Sequence, residues 1–327
     1  MPAALPLLSI EDLSIDLDVF RGRARVVDRV SLEVEEAQVV GLVGESGSGK
    51  SMTAMAVMRL LPRAASIAGG HIRLDGRDVL SMSEADMRRL RGREVAMIFQ
   101  TSLLVLNPLL RVGDQIARVF RTHAGLDQRS ARVKAVEMLD RVGIRHPERV
   151  SHSYPHELSG GMIQRALIAL MTAARPRLLI ADEPTTGLDV TTEVQIFDLL
   201  REIRRETRAA ILLITHDLGT VAENADRVAI MHAGHIVESG PTRAIFKQPR
   251  HPYTRALLSS IPRFDGSQPL ESTLRGQAPD VFSLQGDGCR FAGRCPQVMD
   301  VCRQHRPPLV QLVDGHSVFC HLYADGL

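Results

Sequence analysis

The sequence predicts an α/β fold, a mostly parallel sheet covered by helices, with an antiparallel edge piece and a small C-terminal extension. Three observations predict it. Short apolar runs alternate with helix-period segments, as strands buried on both faces and their covering helices do. The first residues instead alternate apolar and polar with period two, the mark of a half-buried strand. Past about residue 240, proline and glycine rise, periodicity fades, and the four cysteines of the 327-residue chain appear.

Taken in order, "LSIEDLSIDLDVF" and "RVSLEVEEA" are the alternating edge strands. Buried strands are expected at Gln38–Val43, Val95–Phe99, Arg177–Ala181, Ala209–Thr215 and Arg227–Met231. Helices are expected at Lys50–Leu61, Gln128–Val142, Gly160–Ala174 and Val190–Glu206. Residues 101–175 carry no strand pattern and read as a helical subdomain inserted between two core strands. The domain assignment is residues 1–240 for the main domain and 241–327 for the extension, with a boundary near Ser239–Pro241.

Composition narrows the function. Hydrophobic content of 44% and charge of 24% are those of a soluble globular protein, and the net charge of +2 gives no case for a nucleic-acid partner. The N-terminus lacks the basic and apolar regions of a secretion signal. No run approaches the roughly 18 apolar residues of a membrane span. A cytoplasmic protein is expected, where clustered cysteines serve metal or redox chemistry more often than disulfides.

"GESGSGKS", Gly44–Ser51, fits G-x-x-x-x-G-K-[ST] between a buried strand and a helix. Gly44, Gly47 and Gly49 let backbone N–H groups, that of Ser46 included, turn around phosphate oxygens. The following helix N-terminus adds partial positive charge. Lys50 reaches the β and γ phosphates, and Ser51 ligates Mg²⁺. "RLLIADEP" ends an apolar strand in two carboxylates. Asp182 is placed in the Mg²⁺ shell, and Glu183 at the attacking water as general base. Alone, that pair would be an ordinary strand end; beside the glycine loop it is not. "LSGGMIQR" opens a further long helix at Ser159, Gly160 and Gly161, a second anion-binding N-terminus.

One nucleotide does not need two such termini in one chain. In these motifs the sequence resembles the ATP-binding subunits of ABC transporters, which implies a P-loop NTPase, RecA-like core. In that family the second terminus binds the γ-phosphate of ATP held by the other subunit. The resemblance implies that Gln100 contacts Mg²⁺ and the lytic water, that Asp189 in "TTGLD" lies in the D-loop, and that His216 in "LITHD" contacts the γ-phosphate. Phe20 stands where the family places an aromatic residue on adenine.

"SYPHELSGGM", "ADEPTTGLDVT" and "PRHPYTRALLSSIP" resemble the oligopeptide/dipeptide importer ATPases, of the dipeptide permease D-subunit type. That resemblance implies ATP and Mg²⁺ as ligands and a second, related ATPase subunit as partner, a homodimer remaining open. It also implies two transmembrane permease subunits, an extracytoplasmic solute-binding protein, and a peripheral place on the cytoplasmic face of the inner or plasma membrane. Relatives carry dipeptides, oligopeptides, nickel complexes, glutathione or sugars, and the ATPase does not touch the cargo. A non-transport ABC ATPase is the rival reading. Two departures from the family pattern stand out: Thr101–Val105, beside the expected permease groove, and Ile163, beside the signature.

The cysteines, Cys289, Cys295, Cys302 and Cys320, are spaced C-x5-C-x6-C-x17-C. No C-x2–4-C pair of a zinc site is present. A [4Fe–4S] cluster takes four thiolates, and the resembling ATPases can carry one at this tail. Zinc and metal-free packed thiols are the alternatives.

Overall fold

Alternation in the first two segments does place one face inward. In the computed structural model, which describes residues 5–100, 105–260, 279–282, 284 and 286–324, β1 (Leu8–Val19) buries Leu8, Ile10, Leu13 and Ile15. It pairs antiparallel with β2 (Gly22–Val34). The register slips between Ile10 and Leu13, around Asp12, whose φ is +46°. Two further strands complete this sheet, β4 (Ala65–Leu74) and β5 (Arg77–Asp78), in the order β2-β1-β4-β5. The glycine pair and exposed polar residues of β4 break the alternation, so the sequence pattern did not mark it.

The chain divides into two compact units. The first holds residues 1–34, 39–80 and 213–327. Besides the antiparallel sheet it contains β3 (Val39–Val43), wholly buried and paired in parallel with β9 (Arg227–His232). β9 turns at Ala233–Gly234 into antiparallel β10 (His235–Pro241). β12 (Ser317–Phe319) pairs with β10, and β11 (Leu309–Gln311) with β12. Compositional change near residue 240 therefore does not interrupt the sheet. The extension adds strands to the edge of the strands that flank the phosphate loop.

Buried polar anchors tie the extension to this unit. The Glu238 carboxylate is fully buried and accepts from the backbone N–H of Arg250 and of His251, at 2.7 and 2.9 Å. It also meets His316 Nε2 at 2.7 Å. Asp28, on β2, receives His235 Nε2 at 2.8 Å, Arg306 at 3.3 Å and Arg290 at 3.4 Å. Burial alone would raise its pKa; those partners hold it far below the usual carboxylate range.

The second unit holds residues 35–38 and 81–212. β6 (Val95–Ile98) and β7 (Leu178–Asp182) are wholly buried and pair in parallel. Between them in sequence lie helices α1 (Val112–Ala124), α2 (Gln128–Arg141), α3 (Pro147–His152) and α4 (Gly160–Thr172). Asp127 caps α2 by accepting from the backbone N–H groups of Arg129 and Ser130. α5 (Val190–Thr207) follows β7. β8 (Ala210–Thr215), wholly buried, carries the chain from this unit into the first. Of the divergent Thr101–Val105 segment, residues 101–104 lie outside the described residues. Ile163 is buried on α4. Among the described residues no helix is long and apolar enough to cross a membrane.

Candidate nucleotide site

The loop after β3 has the backbone that its glycines allow. Gly47 and Gly49 lie at φ +78° and +104°, a region that side chains rarely adopt. A Cβ on Gly44 would stand 2.0 Å from the Met231 carbonyl oxygen. Ser46 and Gly47 are exposed at the apex. Gly49 precedes the helix Lys50–Val57, which places Ser51 in its first turn. Lys50 is 5% exposed, and its ammonium donates to the carbonyls of Gly44 at 2.7 Å and Glu45 at 3.0 Å. A cation anchored beside exposed backbone at a helix start suits a phosphate chain.

In the second unit, β7 ends at buried Asp182. Glu183 then turns to φ +46°, which costs a non-glycine residue about 1–3 kcal/mol. Its Oε2 accepts from Gln100 Nε2 at 2.7 Å and from Thr186 Oγ1 at 2.8 Å. The structure thus brings together Gln100 and Glu183, two residues the sequence set 83 positions apart.

The signature and the D-loop also meet. Ser159 caps α4, accepting from the Met162 backbone N–H at 3.4 Å. Asp189 caps α5, accepting from the Thr192 N–H at 3.0 Å and its hydroxyl at 2.7 Å. Those bonds hold the Asp189 carboxyl below its usual range. Gly160 faces Leu188, and a Cβ on Gly161 would stand 3.1 Å from Thr192 Cγ2. The two helix starts are neighbours, and a side chain on Gly161 would crowd Thr192. Ser159, Gly160 and Asp189 are exposed.

His216 is exposed at the end of β8, in the first unit. Asp217 after it caps the helix Leu218–Asn224. Phe20 sits at the β1–β2 turn with its side chain wholly exposed.

Three residues around the phosphate loop escaped the sequence reading: Glu45, Tyr253 and Arg294. The Glu45 N–H donates to the Tyr253 hydroxyl at 3.1 Å. Its carboxylate takes both arms of the Arg294 guanidinium, at 2.7 and 2.9 Å. His232 Nδ1 stands 3.6 Å away, beyond a hydrogen bond. His232 and Arg294 together bring the Glu45 carboxyl down from 4.5 to about 2. A carboxyl lowered by folding contributes stability that is present above its unfolded value and lost as pH falls through the folded one. The melting-temperature gap between wild type and Arg294→Gln is therefore expected to be full at neutral pH. It should narrow as pH falls from about 4.5 toward 2, where thermal melts would read it.

None of the four cysteines is in a disulfide. Cys289 and Cys302 adjoin, the N–H of Cys289 donating to the Cys302 carbonyl at 2.7 Å. Burial pushes the Cys289 thiol up to about 12 and that of Cys320 up to about 11, and the neighbouring sulfurs add to it. Among the described residues, no three His, Cys, Asp or Glu side chains form a group that could hold a metal ion. Two nearby histidines are engaged elsewhere, His316 on Glu238 and His321 on the His305 carbonyl.

A family model described as ABC transporter matches residues 27–186. A second, the oligopeptide/dipeptide transporter C-terminal region, matches residues 237–302. The dipeptide transport ATP-binding protein DppD of Escherichia coli is 43% identical over 98% of both chains. The oligopeptide transport ATP-binding protein AppD of Bacillus subtilis is 44% identical over 91% of both. The dimeric ADP- and Pi-bound cassette MJ0796 shares the fold, with a TM-score of 0.65 at 23% identity over 72% of this chain and 99% of that one. The cbiO1 subunit from Clostridium perfringens gives 0.63 at 25% identity, covering 74% and 91%. The phosphate loop, the signature and the extension thus lie in one chain, and that chain belongs to the ABC transporter ATP-binding proteins of the oligopeptide/dipeptide importer family.

Proposed function

We propose that this protein hydrolyses ATP to drive import of di- or oligopeptides through a membrane permease. The observation that carries the reading is similarity over nearly the whole chain, extension included, to proteins named for dipeptide and oligopeptide transport. Two subunits close head-to-tail around two ATP molecules, and hydrolysis reopens them. The phosphate loop Gly44–Ser51 holds the phosphates, with Lys50 on the β and γ groups. Ser159, Gly160 and Gly161 face the γ-phosphate of ATP on the partner subunit. Ser51, Gln100 and Asp182 are the residues to hold Mg²⁺, which when bound neutralises charge on the phosphates. Glu183 takes the proton of the attacking water, Gln100 orients that water, and His216 contacts the γ-phosphate. Phe20 stacks on adenine. The chemistry is mainly positioning and charge stabilisation of an in-line displacement.

The partners proposed are a second, related ATPase subunit, two permease subunits and an extracytoplasmic solute-binding protein, with this chain peripheral on the cytoplasmic face. Affinity purification from a solubilised membrane tests it. Two multi-span subunits should copurify and stimulate ATP turnover; a chain recovered alone, or one whose ATPase responds to DNA or ribosomes, contradicts it.

The [4Fe–4S] proposal rests on four thiols and the tail motif, and no step of ATP hydrolysis needs it. Anaerobically purified protein should be brown, with absorbance near 400 nm. Colourless protein without iron, retaining its fold and its ATPase, would remove the cluster.

A further inference from the structure

We propose that Arg294 and Tyr253 of the extension are positioning residues for the phosphate loop, acting through Glu45. The inference rests on the ATP-binding reading and says what the extension does for that site. Glu45 follows the first glycine of the loop, and each of its polar groups is engaged. Its N–H donates to the Tyr253 hydroxyl, its carbonyl accepts from the Ser48 N–H at 3.2 Å and from Lys50, and its carboxylate is forked by Arg294.

A carboxylate inside a loop that receives a triphosphate is an electrostatic liability. Like charges nearer than the screening length of about 10 Å at 0.1 M salt repel with little screening. Arg294 answers that charge from outside the loop and draws it toward the extension. Tyr253 takes the Glu45 N–H, so that this peptide is fixed while the N–H groups after it serve the phosphates.

The two residues are themselves rigidly seated. Tyr253 is fully buried, and its ring packs against His232 at 4.4 Å and Phe291 at 5.3 Å. His251 caps the helix Pro252–Ser259 that carries Tyr253. Phe291 and Arg294 both lie between Cys289 and Cys295. The cysteine segment therefore delivers the cation that neutralises the loop. A cleft of about 270 Å³ is lined by Glu45–Ser48, His232, Ala233 and extension residues 279–281. The extension thus reaches the loop along a second segment as well.

The test is titration of the full-length chain with the non-hydrolysable analogue AMP-PNP and Mg²⁺. Arg294→Gln should bind about 10-fold more weakly, the scale of a lost charged hydrogen-bond pair. The double variant Arg294→Gln/Glu45→Gln should recover most of that loss, because no charge is left to neutralise. Wild-type affinity in Arg294→Gln, or a loss that Glu45→Gln does not relieve, overturns the proposal and leaves Arg294 as packing. Tyr253→Phe keeps the ring and removes only the hydroxyl. It should weaken binding several-fold even if Arg294→Gln fails to fold, and unchanged affinity there overturns the proposal too. Wild type that binds no AMP-PNP, with Lys50→Ala indistinguishable from it, overturns the ATP reading first and this inference with it.

Discussion

Glu183→Gln is expected to keep ATP binding and to lower turnover by about 10²–10⁴-fold, the range a positioned general base contributes. The residue is firmly held. It follows the buried end of β7, at a φ of +46° that a glutamate adopts only when its surroundings impose it. Gln100 and Thr186 both donate to its Oε2, which holds the carboxylate in place. Glutamine keeps the size and the polarity, so the fold and ATP binding should survive. It has no basic oxygen to accept a proton from water. ATPase assays on the purified complex beside equilibrium ATP binding read the two effects separately. Near-normal turnover would mean that another group takes the proton.

Lys50→Ala should weaken ATP binding by about 10–100-fold, the equivalent of the 1.5–3 kcal/mol of a hydrogen bond to a charged group. Lys50 is buried to 5% exposure, and its ammonium already lies against the loop carbonyls of Gly44 and Glu45. Little side-chain freedom remains to be lost when a phosphate arrives, so the interaction is pre-organised. Truncation removes both the cation and its hold on the loop. Calorimetric titration with AMP-PNP checks it, and unchanged affinity would contradict the assignment.

The parts legible in sequence are those that local pattern determines. A strand buried on both faces must be apolar throughout, and β3, β6, β7, β8 and β9 were found within one or two residues by that rule. The phosphate loop was legible because positive φ demands glycine at Gly47 and Gly49. The helices expected from Gly160 and Val190 start there, capped by Ser159 and Asp189. β4 was not legible, since its Gly69–Gly70 pair and exposed polar positions carry neither period. Nor was the Glu45–Arg294 fork, whose ends are 249 residues apart. Either residue alone is an ordinary surface charge, and only the topology that returns the extension to β9 and β10 brings them together. A texture change near residue 240 marks where the sequence becomes irregular, yet β12 pairs on β10 beyond it. The cysteines show the opposite limit. Their count and spacing suggest a metal, while among the described residues no three His, Cys, Asp or Glu side chains form a group that could hold one.

The most direct test of the account is peptide uptake by proteoliposomes holding this chain, its partner ATPase and the two permease subunits, with ATP supplied on the ATPase side. With the solute-binding protein present on the other side, a radiolabelled dipeptide or oligopeptide should accumulate inside as ATP is consumed. Both processes should stop together in the Glu183→Gln complex. ATP consumption that proceeds with no peptide uptake, or uptake that persists in that variant, would contradict the account.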